Sequence, residues 1–421
     1  MTVNIDYMDD IKAVKQAAKK VVEKGADGGE SVGLMEPLVL SHGSPHRPAL
    51  GDLVIELAAR SAGFRRSLSE GVVSALAGLV RSMNCYYSNL IEGHDTHPID
   101  IERALKKDYS ADPKKRNLQL EAAAHIEVQK WIDEGGLRGA ATTSSAVLEI
   151  HRRFCELLPD ELLWVEHPTT KGRLPVVPGE FRQHDVGVGR HVPVSPGALS
   201  RFLERFEQVY SKLGRSETIL GAAAAHHRLL WIHPFLDGNG RVARLMSYAT
   251  LRETLETGGV WSVARGLARN VDTYKMLLSN CDLPRRNELD GRGTLSEEAL
   301  AEFTRFFLET CLDQVKFMEE LVQPDKLRAR VKLWADEEIA TDALPAKAGV
   351  VLDAILYRGE LPRGEVPGLL DTSARSARRV MSALIDRGVV TAATTRSDLR
   401  IAFPAALAAR WMPGLFPEKR A

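Results

Sequence analysis

Residues 216–254 constrain the fold of this chain more than any other stretch. The run ETILGAAAAHHRLLWI, entered at Ser216, is alanine-rich and predicts a helix to residue 232. Pro234 and the glycines at 238 and 240 stop it. From Arg241 the text RVARLMSYATLRETL turns helical again, with Val242, Leu245 and Met246 spaced for a buried face. A short polar loop therefore delivers backbone N–H groups to the start of a second helix. First-turn N–H groups have no intrahelical partner, so such a turn binds anions unaided. Arg241 and Arg244, one turn apart, add two guanidinium forks. Asp237 offers a carboxylate able to hold Mg²⁺ against phosphate oxygens, and His233, with an unperturbed pKa of about 6.5, suits general-base work. These residue types, gathered between positions 233 and 244, point to chemistry on a polyphosphate.

The full string His233-Pro234-Phe235-Leu236-Asp237-Gly238-Asn239-Gly240-Arg241-Val242-Ala243-Arg244 matches HPFxxGNGRxxR without a departure. It resembles the signature of the Fic (Fido) family, and the likeness extends over roughly residues 60–320. The resemblance implies an all-α fold, a Fic-type helical core with a β-hairpin flap, that transfers AMP from ATP to a Ser, Thr or Tyr hydroxyl of a target protein or of the chain itself. In that family pose Arg241, Arg244 and the N–H groups around Gly238, Asn239 and Gly240 hold the β- and γ-phosphates. Asn239 adds a phosphate donor, Asp237 binds Mg²⁺, and His233 takes the proton of the attacking hydroxyl. Phe235 anchors the loop in the core.

Composition sets outer limits. The chain has 421 residues, 44% hydrophobic and 27% charged, ordinary for a globular protein with one large domain and one or two small ones. The formal net charge of zero gives no global field toward nucleic acid or membrane, so any such role rests on a local patch. Cys85, Cys155, Cys281 and Cys311 are scattered without metal-ligand spacing and read as reduced, partly buried thiols. The N-terminal text lacks an apolar signal core and no stretch approaches about 18 apolar residues, so the expected location is the cytoplasm, with no membrane partner.

Residues 1–60 read as a leader of mixed character, with a short basic helix at Ile11 to Glu23. The next unit, 61–323, is the Fic core. Within it RSLSEGVVSALAGLVRSMNCYYSNLIEG predicts one or two helices with wide buried faces, ending at Ser88-x-x-x-Glu92-Gly93. An acidic residue at a helix C-terminus opposes the dipole, so Glu92 needs a partner. Ser88, Glu92 and Gly93 resemble the inhibitory [S/T]xxxE[G/N] motif of one Fic class, on a helix of about 79–92, whose glutamate pairs with the second signature arginine, here Arg244. Further helices are expected at 97–107, 116–134, 144–164, 196–210 and 260–278, and at 295–322 with Thr294 and Glu297 as a capping box. His125 reads as a satisfied structural histidine.

Residues 170–192 change period to short β-prone runs broken by glycine and proline, which predicts a hairpin with an open edge at about 172–192. It resembles the Fic flap, which captures a target polypeptide by strand pairing; the matching residues are Pro178, Gly179, Phe181, Arg182, Val186, Gly187 and Val188. Beyond Gln323-Pro324, residues 324–421 predict a linker helix, then helix, helix, helix and a two-stranded wing, a small C-terminal winged-helix domain. Its third helix carries Arg375, Arg378 and Arg379, the dress of a DNA-reading helix, although such modules also dock proteins and dimerise. Two alternatives to an AMP transferase autoinhibited by Glu92 stay open: a de-AMPylase of the same fold, and a DNA-binding regulator acting through this domain.

Overall fold

The computed structural model describes residues 25–167 and 171–416, so the predicted helix at Ile11 to Glu23 lies outside the described residues. Residues 25–46 run without a long helix but bury Met35, Leu38 and Leu40. Then come α1 (Arg47–Arg66), α2 (Glu70–Ile91), α3 (Pro98–Leu105), α4 (Pro113–Asp133) and α5 (Ser144–Glu156). The strands β1 (Trp164–Glu166) and β2 (Arg173–Pro175) form an antiparallel hairpin, with Val165 opposite Leu174. After α6 (Leu199–Tyr210) the two central helices follow, α7 (Arg215–Ile232) and α8 (Asn239–Thr254). The core closes with α9 (Ala264–Arg269), α10 (Val271–Asn280) and α11 (Glu297–Leu321). The last unit comprises α12 (Pro324–Ala340), α13 (Ala348–Arg358), α14 (Val366–Leu369), α15 (Ala374–Asp386), β3 (Val390–Thr391), β4 (Arg400–Ile401) and α16 (Ala408–Trp411).

The axis of the core is α7, which is buried nearly all round. Ala222 to Ala225 are buried on this helix, which packs against α1, α6, α8 and α11, and even His226 and Arg228 are fully enclosed. A helix buried on every side needs internal partners for its polar groups. Arg228 donates to the Pro37 carbonyl at 2.8 Å, which stitches the N-terminal segment to the core. Because α1 buries Leu50, Val54, Leu57 and Phe64 against the core, residue 60 falls in the middle of a core helix rather than at the end of a leader.

Several expected boundaries move for local reasons. The helix expected at 144–164, with a turn at Pro159, ends at Glu156 just ahead of that proline, and the chain then runs into β1. The single helix expected at 260–278 is two, broken at Asn270, whose φ of −119° and ψ of 38° leave the helical region. The helix 297–321 is capped by Ser296, whose hydroxyl accepts from the Ala299 N–H, whereas Thr294 donates to the Gly33 carbonyl at 2.8 Å.

Within the C-terminal unit α13, α14 and α15 are followed by a two-stranded hairpin, Val390 opposite Ile401, with Leu361 bridging Leu399 at its edge. It sits directly on α2. Tyr87 Oη donates to the Leu415 carbonyl at 3.0 Å and the Tyr86 ring meets Phe416 edge-on at 5.7 Å. Gly71 packs against Gly359 so closely that a Cβ on Gly71 would lie 2.0 Å from the Gly359 carbonyl oxygen.

Candidate active site

His233 is the residue that ends α7. It adopts the left-handed conformation (φ 52°, ψ 62°) and its N–H donates to the Leu229 carbonyl at 3.1 Å. A non-glycine residue there is strained by about 1–3 kcal/mol unless its surroundings hold it. Arg182 does the holding: its Nε donates to the His233 carbonyl at 2.8 Å and its backbone N–H to the Pro234 carbonyl at 2.9 Å. Its other guanidinium nitrogens donate to the carbonyls of His184 and Val194. The His233 ring is half-buried, with Nδ1 3.3 Å from the Leu230 carbonyl. A carbonyl only accepts, so Nδ1 carries the proton and Nε2 keeps its lone pair. Burial pulls the His233 pKa down to about 4, against a smaller opposing effect from that hydrogen bond, so the ring is neutral at pH 7.

The loop is fastened from within. Phe235 is fully buried and stacks on the His151 ring at 3.8 Å and an interplanar angle of 3°. His151 Nδ1 also accepts the Gly179 N–H at 3.0 Å, tying the loop to the segment after β2. Asn239 closes a ring with Phe235, accepting its N–H at 3.0 Å and donating to its carbonyl at 2.9 Å. One of the two Asn239 side-chain N–H groups is thereby used within the loop; its backbone N–H is the first of α8. Gly238 caps α8 at φ 83°, a conformation costly for any residue with a Cβ.

A cavity of about 120 Å³ opens over this turn, lined by Glu92, His233, Leu236, Asp237, Gly238, Asn239, Gly240 and Arg241. The volume is below the roughly 300–1,000 Å³ of pockets that enclose drug-sized ligands. Glu92 occupies part of the space: its Oε1 lies 2.5 Å from Arg244 Nη2. Arg244 is further held by Ser88, donating from Nε to its hydroxyl at 2.8 Å and from Nη2 to its carbonyl at 3.3 Å. Ser88, Glu92 and Arg244 thus meet at one point, with Gly93 turning the chain away at φ 87°. Burial alone would raise the Glu92 carboxyl, but the charge and hydrogen bond of Arg244 win and hold it below its ordinary pKa. Asp237 is exposed at the cavity mouth. A single carboxylate beside a phosphate-sized cleft suits Mg²⁺, which binds through one or two carboxylates plus substrate phosphates and keeps several waters.

The described residues 171–192 do not form the expected hairpin. The hairpin is β1 with β2, so its first strand precedes the predicted span; between 176 and 192 only Val188 and His191 pair. Pro178 and Pro193 lack donors and Gly179 and Gly189 have positive φ, which breaks any ladder there. Arg182, expected among the docking residues, is 2% exposed and braces His233 instead. Phe181 is half-buried and packs toward Phe235, while Pro178 and Gly179 form the turn on His151. Gly187 and Val188 are exposed and Val186 half-buried. His125, expected to be satisfied, is fully buried on α4 with neither ring nitrogen partnered. Glu121, His94 and His151 carried no signal in the sequence beyond their place on or beside amphipathic helices.

A buried helix pair, a neutral histidine closing the first helix and an anion-receptive turn opening the second define a helical domain built around one reactive loop. The Fic/DOC family model matches residues 141–251. Protein adenylyltransferase Fic of Drosophila erecta is 30% identical over 163 residues, 38% of this chain and 30% of that protein. Its counterpart in Drosophila willistoni is 32% identical over 163 residues. The chain therefore spans less than a third of the length of these relatives. A crystal structure of a Fic family protein from Desulfovibrio desulfuricans G20 superposes with a TM-score of 0.50 and 16% identity, over 86% of this chain and 98% of that one, a likeness of fold. Among the described residues no helix is long and apolar enough to cross a membrane.

Proposed function

We propose that this chain transfers AMP from ATP to a Ser, Thr or Tyr hydroxyl of a target protein or of itself, and that Glu92 restrains it. The observation that carries the reading is the convergence of neutral His233, the open first turn of α8 and the Glu92–Arg244 contact on one cavity. His233 Nε2 accepts the hydroxyl proton as the oxygen attacks the α-phosphorus; the bond to the β-phosphate bridging oxygen breaks and pyrophosphate leaves. Arg241 and the N–H groups of Asn239 and Gly240 hold the departing phosphates, and Arg244 does so once Glu92 withdraws. Asp237 would hold Mg²⁺, which supplies charge neutralisation on the phosphate oxygens when bound. Val186 and Gly187 offer backbone to an extended target segment, beside the Val188–His191 pair. The test is incubation with α-labelled ATP and Mg²⁺, wild type beside His233→Ala. Label that is lost with His233 supports the reading; equal label in both removes it.

Glu92 faces the same cavity as His233, which favours one second reading, hydrolytic removal of AMP with Glu92 positioning a water. Release of AMP from a modified protein, lost in Glu92→Gly, would select it. For the C-terminal unit we propose a winged helix. Arg375, Arg378 and Arg379 stand exposed on α15 with no ion-pair partner among the described residues, opposite a buried face of Ala377, Val380, Met381 and Leu384. That favours duplex DNA as its partner. Replacing the three arginines should make DNA binding less salt-dependent by about 0.9 in slope per lost phosphate contact. Unchanged affinity would assign the unit to protein docking or self-association. The cytoplasm is proposed as the location, and cell fractionation checks it.

A further inference from the structure

Both signature arginines are held by carboxylates, but the two carboxylates stand in different places. Glu92 lines the cavity. Glu121, on α4, lies behind Arg241 and takes no part in the lining. Its Oε2 accepts from Arg241 Nη2 at 2.7 Å, between side chains only 7% and 12% exposed. The same oxygen lies 2.9 Å from His94 Nδ1, and His94 follows Gly93 at the end of the inhibitory turn. A carboxylate only accepts, so His94 donates there, and hydrogen bonding to Glu121 raises its pKa. One oxygen therefore receives two hydrogen bonds, from α8 and from the end of α2.

Arg241 is otherwise incompletely partnered. Its Nε is buried with no acceptor, and its guanidinium lies 5.2 Å over the Phe154 ring, which limits how it can rotate. A buried guanidinium with a donor unmet is costly unless a ligand oxygen completes it. A flexible arginine facing a polyphosphate must also be ordered on binding, and ordering a long side chain costs conformational entropy. A carboxylate fixed behind it removes that cost in advance without filling the phosphate space.

We propose that Glu121 is a positioning residue for phosphate binding: it pre-sets Arg241 for the β- and γ-phosphates and for the pyrophosphate leaving group, whereas Glu92 blocks. The inference rests on the reading of Arg241 as a phosphate ligand.

The experiment uses the full chain carrying Glu92→Gly, so that the cavity is open. Dissociation constants for Mg²⁺-ATP, Mg²⁺-pyrophosphate and AMP are measured by calorimetry for this protein and with Glu121→Gln, Glu121→Asp or Arg241→Ala added. Glu121→Gln should weaken ATP and pyrophosphate about fivefold to tenfold and leave AMP within twofold. In transfer assays it should raise KM for ATP more than it lowers kcat. Glu121→Asp, which keeps the charge but falls short of Arg241, should show the same pattern and serves if the glutamine variant does not fold. Equal weakening of all three ligands would reduce Glu121 to a structural residue and overturn the proposal. So would unchanged or tighter pyrophosphate binding in the Glu121 variants beside a weakened Arg241→Ala. If Arg241→Ala itself leaves pyrophosphate binding unchanged, the phosphate role of Arg241 fails, and that of Glu121 with it.

Discussion

A Cβ placed on Gly240 would stand 2.3 Å from Oε1 of Glu92. The Glu92 carboxylate thus lies directly over the first turn of α8, in the space that an anion bound to the Asn239 and Gly240 N–H groups would fill. The pair itself is half open, with Arg244 3% exposed and Glu92 36%, so its consequence is exclusion more than stability.

Glu92→Gly should therefore raise Mg²⁺-dependent label incorporation by at least about tenfold, equivalent to about 1.4 kcal/mol. Arg244→Ala should not copy it, because the phosphate then loses its partner, and the double variant should behave as the arginine variant. Rates for the four proteins at saturating ATP decide. Equal rates in wild type and Glu92→Gly would leave Ser88 to Gly93 as a helix end and nothing more.

Burial lowers the His233 pKa to about 4, so the neutral form that the proposed base role requires persists well below the ordinary histidine range. In the Glu92→Gly protein, kcat/KM should stay level as pH falls from 7.5 to about 5 and drop only on approaching about 4. An acid limb centred at about 6.5 would mean that the ring is solvated in the working enzyme.

Folding stability should respond to acid earlier than catalysis. His226 and His125 have pKa values lowered by burial to about 3, and His227 and His151 to about 4. Unfolded histidine binds its proton at about 6.5. Below that pH the unfolded chain takes up protons that the folded one refuses, so stability is full above pH 6.5 and falls as pH drops toward 4, by up to about 1.4 kcal/mol per unit for each histidine. Urea midpoints between pH 7.5 and 4.5 check this, and a flat profile would show these rings hydrogen-bonded as cations.

His125→Leu should stabilise the protein at pH 7, by about 1 kcal/mol, since the ring is enclosed with both nitrogens unmet. The variant should also soften the acid loss. A destabilisation beyond about 2 kcal/mol would reveal a buried water bonded to the ring.

Gly71→Ala should loosen the C-terminal unit from α2, because the new Cβ would meet the Gly359 carbonyl at 2.0 Å and backbone cannot step aside cheaply. Hydrogen exchange should quicken across 348–401 and in the second half of α2, including the turn that carries Glu92. Exchange unchanged in α2 would mean that the two units fold independently of this contact.

The central helices and their loop were legible because helical periodicity, a proline, two glycines and two arginines all speak locally there. Ser88 to Gly93 was legible for the same reason. What escaped was non-local. Glu121 looks like any polar residue on an amphipathic helix until α4 crosses Arg241. Arg182 reads as a docking residue because it falls in the flap-like Pro/Gly-rich stretch, yet the carbonyls of His233, His184 and Val194 accept its protons. The hairpin was misplaced because its first strand, Trp164–Glu166, continues an apolar run that also suits a helix end. The partnerless His125 is likewise invisible to periodicity, which reports burial but not satisfaction.

Because His233 closes α7 and Asn239 opens α8, the gap between proton acceptor and anion seat is set by how closely two cylinders lie, not by the loop. The run Ala222 to Ala225 then works as a shim of minimum thickness. A larger side chain at whichever of the four faces α8 would open the jaws of this caliper from a distance, altering the span from His233 to the first turn of α8 while every residue of the signature stayed in place.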